Sequence, residues 1–150
     1  MTGVPPAPEL GAVETAAVLA LLSALFVARV AGQALVVLRH PSWLPPMDQW
    51  YSGLLPYPQL LASQIAICVG MALVVLGLLA GAGWAIGPYP SFGTPLVVAA
   101  YVYASAMAVR YVVRMVRRPD QRWLGGCIPI VFHIGLAAWL LVVAALWRGA

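Results

Sequence analysis

Four stretches of the chain, residues 14–38, 58–80, 95–116 and 125–147, are long enough to cross a bilayer and carry at most two charged residues apiece. A bilayer span needs about 20 consecutive apolar residues. Hydrocarbon offers no partner to a backbone N–H or C=O, so such runs must become helices. The sequence therefore predicts an all-α fold, an integral membrane bundle of four transmembrane helices. Residues 1–13 are expected to form a disordered Pro-rich tail, and residues 14–150 the transmembrane domain. The first span is not read as a cleaved leader, because no basic residue precedes it and the apolar run is too long.

Composition supports this class. Hydrophobic residues make up 63% of the chain and charged residues 8%, against about 25% charged in a soluble domain. Too little polar surface remains to coat a water-soluble particle. All eight basic residues are arginine, and the net charge of +4 has no interleaved aromatic stripe on a polar surface. That argues for membrane lipids as partners and against nucleic acid.

The placement of the arginines sets the orientation. The third connection, "RMVRRPDQRW", holds Arg114, Arg117, Arg118 and Arg122, and the first holds Arg39. The second, "GAGWAIGPYPSFGTP", has no charge, and the N-terminal tail holds only acids. Basic connections stay in the cytoplasm. Both termini are thus expected outside a bacterial inner (plasma) membrane, with only Arg148 opposing. Trp43, Trp50, Tyr51, Tyr57 and Trp123 at one end, and Trp84, Tyr89, Phe92 and Trp147 at the other, read as interfacial aromatic belts. The Pro- and Trp-rich first connection is expected in the headgroup layer.

Small residues recur every fourth position at Ala20, Ala24, Ala28 and Gly32, at Ala62, Ala66 and Gly70, and at Ala100, Ala104 and Ala108. Such stripes let helix backbones approach closely. They predict tight packing, within this chain or in a homo-oligomer or larger membrane complex. The two basic connections also share W-x-x-G-x-x-P, at Trp50-Gly53-Pro56 and Trp123-Gly126-Pro129. Either the chain is a parallel two-plus-two repeat, or residues common at span starts coincide.

The most informative feature is a polar layer. At about 1.5 Å per helical residue, Arg29 lies about 15 Å in from Arg39, with Gln33 one turn shallower. Gln64 lies about 12 Å past Pro56, Arg110 about 10 Å in from Arg117, and His133 about 15 Å past Trp123. Tyr103 shares a stripe with Arg110. Four helices thus deliver polar groups to one layer, where an arginine costs roughly 2.5–3.5 kcal/mol on insertion scales. Arg29, Gln33, Gln64, Tyr103, Arg110 and His133 are therefore the candidate ligand-binding residues. No acid lies near this layer within a span. The acceptor for the guanidinium is Asp48 folding in as counter-ion, a freed backbone carbonyl, or a ligand oxygen. The bland alternatives are a structural polar core, and Arg110 snorkelling to the headgroups.

No nucleophile elbow, phosphate loop, dinucleotide fingerprint or metalloprotease motif occurs. No motif requires a cofactor or a metal. With His133 as the one histidine inside a span, a bis-histidine haem within one chain is disfavoured. Cys68 and Cys127 read as small hydrophobes. The expectation is a non-catalytic multi-pass protein, a small subunit or accessory factor of a larger membrane complex. The alternative is a binder or carrier of a small anionic or carbonyl-bearing amphiphile at the polar layer.

Overall fold

A computed structural model describes residues 10–50, 55–117 and 127–149, and the described chain is helical throughout its regular structure. The elements are α1 (Leu10–Arg39), α2 (Met47–Trp50), α3 (Tyr57–Leu79), α4 (Gly83–Ile86), α5 (Pro90–Arg117) and α6 (Ile128–Arg148). Of these, α1, α3, α5 and α6 are long and apolar enough to cross a membrane. Helix α1 starts at Leu10, inside the stretch expected to be tail. Tyr51, Gly53, Arg118, Asp120, Arg122, Trp123 and Gly126 lie outside the described residues. The likeness of the two hairpins therefore rests on sequence alone.

Helix ends follow the sequence chemistry. Pro56 precedes α3 and Pro58 falls in its first turn, where a missing N–H costs nothing. Past its C-terminal end Gly81 takes φ +64°, and the Ala82 N–H returns to the Gly77 carbonyl at 2.8 Å, closing orphan acceptors. Helix α6 ends the same way at Gly149, φ +73°. Helix α5 departs from expectation. It begins at Pro90, so Pro95 lies inside it rather than in its first turn. A proline there removes one backbone hydrogen bond.

The spanning helices do not form a closed bundle. Helix α1 packs on both α3 and α6, while α5 packs along α6 and makes no comparable contact with α1 or α3. The core cluster comes from α1 (Leu19, Phe26), α3 (Met71, Leu78) and α6 (Trp139, Val143), closed at one end by Ala85 of α4, with no buried member from α5. Only 6% of the most apolar window of α5 is buried, against 33% for α6. The small-residue stripes do not line the main seams either. Ala24, Ala28, Ala62 and Ala66 are exposed and Gly70 borders an open hollow, while Ala100 is buried. Larger side chains such as Leu19, Phe26, Met71 and Trp139 fill the seams between α1, α3 and α6, while α5 buries the small residues Gly93 and Ala100.

The first connection turns inward rather than lying wholly at the surface. Trp50, at the end of α2, is buried, and α2 touches both α1 and α6. The indole ring lies on Gly32 of α1, where a Cβ would stand 2.8 Å from Trp50 Cη2. Trp50 is thus a wedge between helices, not a belt residue. Trp43 by contrast is 74% exposed. Non-helical backbone can reach membrane depth when it is buried in protein, and the Trp50 indole Nε1–H donates to the Pro45 carbonyl at 2.9 Å.

Candidate functional site

The polar layer is assembled from α1 outward. Arg29 and Gln33 sit one turn apart on the buried face of α1, at 3% and 0% exposure. Gln64 of α3, at 3% exposure, donates from Nε2 to Gln33 Oε1 at 3.1 Å. On the other side, the Tyr103 hydroxyl of α5 and Nδ1 of His133 on α6 share a hydrogen bond of 2.8 Å. Their rings meet edge to face, 5.7 Å between centroids. Arg29 and Arg110 both lie close enough to act electrostatically on this pair. Arg110, half-buried on α5, follows Tyr103 by two helical turns on the same stripe. Four of the six side chains thus form two hydrogen-bonded pairs, with Arg29 one turn from Gln33 on α1 and Arg110 on the Tyr103 stripe of α5.

Arg29 finds a backbone acceptor in place of a carboxylate. Its Nη2 donates to the Trp50 carbonyl oxygen at 3.5 Å. The last carbonyls of a short helix have no partner of their own, so α2 brings an orphan acceptor into the layer. The contact is long, since charge-assisted N–H···O bonds run about 2.7–2.9 Å. Asp48 lies two residues earlier but is exposed, and no ion pair joins it to Arg29 among the described residues. Sequence could place Asp48 in the connection. It could not show that the backbone of α2, and not its carboxylate, would turn inward.

Four polar atoms in the layer remain without partners: Nε and Nη1 of Arg29, Nε2 of Gln33 and Oε1 of Gln64. Each such buried donor or acceptor costs about 1–3 kcal/mol. Native interiors leave few. The layer therefore offers three unsatisfied donors against one unsatisfied acceptor, an excess that suits an oxygen-rich group. Among the described residues no group of three or more His, Cys, Asp or Glu side chains stands close enough to hold a metal.

Trp50 is the participant that sequence reasoning assigned elsewhere. A signal was present in Gly32, one turn from Arg29 and able to admit a ring against the backbone, but nothing local specified which ring would use it.

The helices and their buried cationic centre define an all-α, multi-pass membrane protein. The sequence matches no protein-family model, and comparison with curated proteins and with solved structures yields no match.

Proposed function

We propose that this protein is a non-catalytic membrane protein that holds a small anionic or carbonyl-bearing amphiphile, such as a lipid or a quinone-like molecule, at the Arg29 layer. The supporting observation is a guanidinium at 3% exposure whose Nε and Nη1 have no acceptor. Both described carboxylates, Glu14 and Asp48, are exposed. A carboxylate, phosphate or carbonyl oxygen would complete the shell, and the planar fork of arginine suits such acceptors. Arg39, Arg114 and Arg117 at the near ends of the helices favour a cytoplasmic setting for that side, in a bacterial inner membrane.

A second reading makes the chain an accessory subunit of a larger assembly. It is favoured by α5, which leans chiefly on α6 and leaves most of its length for another protein or for lipid. A partner's carboxylate could then meet Arg29.

Native mass spectrometry after gentle extraction separates the readings. The amphiphile reading expects a bound small molecule in the wild-type protein and its loss from a folded Arg29→Leu variant. A retained protein chain with no small molecule supports the subunit reading. A wild-type monomer bare of both refutes the first.

A further inference from the structure

Above the polar layer, toward the Trp84 end, α3, α5 and α6 line an open hollow of about 370 Å³. Its walls are carbon. Ile67, Gly70 and Met71 come from α3, Leu96 from α5, Leu136 and Trp139 from α6. The polar tips of its two tryptophans are turned to protein partners, Trp139 Nε1 to the Ser23 hydroxyl at 3.1 Å and Trp147 Nε1 to the Ala85 carbonyl at 3.2 Å. A second hollow of about 400 Å³ shares Val74 and Trp147 with it and continues to Trp84 and Phe92. At its other end the lining of the groove comes within one helical turn of the polar layer. Ile67 is one turn beyond Gln64 on α3, and Leu136 one turn beyond His133 on α6.

We infer that this groove is the seat of a single hydrocarbon chain, belonging to an anionic amphiphile whose head is held by Arg29 and Gln33. This rests on the reading above. Charge complementarity selects the head, since the layer carries two arginines, an excess of unpaired donors and no buried acid among the described residues. Continuity selects the tail, since the apolar groove starts one turn from that layer and runs away from it. A single groove accommodates one chain, which favours a long-chain carboxylate or alkyl phosphate over a two-chain phospholipid. The protein would thus hold the head deep in the membrane and the chain toward the opposite face.

Gly70 provides a test that leaves the fold intact. A Cβ there meets nothing within 4 Å, so Gly70→Leu enters the groove from an open position, and leucine is the better helix former. The protein in nanodiscs is exposed to stearate carrying a mid-chain photoactivatable diazirine, with and without excess unlabelled stearate, and adducts are mapped by peptide mass spectrometry. An alkyl phosphate of equal length serves as the competing arm that distinguishes head chemistries. The expected result is competable labelling at Ile67–Val74 and Leu136–Val143, lost in both Gly70→Leu and Arg29→Leu. Competable binding that disappears in Arg29→Leu but persists in Gly70→Leu, with adducts elsewhere, overturns the groove assignment and leaves the head site standing. Labelling that no competitor reduces, in wild type and both variants alike, means annular lipid only and overturns both.

Discussion

The Arg29 guanidinium and the Trp50 carbonyl oxygen meet at 3.5 Å across 21 residues of sequence, and that contact ties a spanning helix to the inward-turned end of the first connection. It satisfies one of the guanidinium nitrogens. The remaining two are buried and bare.

Replacing Arg29 by leucine is therefore expected to leave the protein folded and firmer. The substitution removes a poorly compensated charge, and apolar replacement of buried ionic groups is often neutral or stabilising by about 1–4 kcal/mol. Thermal unfolding in a fixed detergent measures it. A marked fall in midpoint would make Arg29 a structural tie instead.

The Gln33–Gln64 bond joins α1 to α3. Gln64→Leu strands the Gln33 amide and should cost about 1 kcal/mol, with the double change Gln33→Leu/Gln64→Leu costing less than the sum. Couplings of this kind in membranes average about 0.6 kcal/mol and reach about 1.7. A double-mutant cycle on unfolding free energy gives the number, and strict additivity would contradict the pairing.

Two glycines should respond in opposite ways. At Gly32 an added side chain runs into the Trp50 ring, whereas at Gly70 it meets open space. Gly32→Leu should destabilise by about 1–3 kcal/mol, as overpacking does, and should expose Trp50 to an aqueous or lipid quencher. Gly70→Leu should be neutral or stabilising by up to about 1 kcal/mol through helix propensity. Paired thermal melts with tryptophan quenching make the comparison.

The Tyr103–His133 bond is a polar tie between α5 and α6. Tyr103→Phe should cost about 1 kcal/mol and speed hydrogen exchange in α5 before any other spanning helix, because the most apolar window of α5 is the least buried of the four. Uniform exchange across all four helices would show that α5 is anchored by more than α6.

The four spans were legible because apolar length alone decides them, and Arg29, Gln33 and Gln64 were legible as buried because charge and amide groups avoid lipid. The grouping of helices was not. Core-facing and lipid-facing positions are equally apolar in a membrane, so periodicity does not say that α5 would lean chiefly on α6, or that Ala24 and Ala62 would be exposed. Trp50 was misplaced for a related reason. A tryptophan beside a span suits the interface as well as it suits a gap between helices, and only the distant backbone of Gly32 decides between them. Pro95 was put in a first turn because Thr94-Pro95 looks like a helix start, while Pro90 supplies the same signal five residues earlier.

At the far end of α5, Gly93 rests against the backbone of α6, where a Cβ would stand 3.1 Å from the Ala144 carbonyl oxygen and 2.6 Å from Arg148 Cγ. Leu96, less than one turn along, is the wall that α5 lends to the apolar groove. The wall that α5 lends to the groove thus stands next to the closest backbone approach of α5 to α6. A larger substituent at this joint must push the Arg148 side chain aside and ease the α6 backbone away by a few tenths of an ångström.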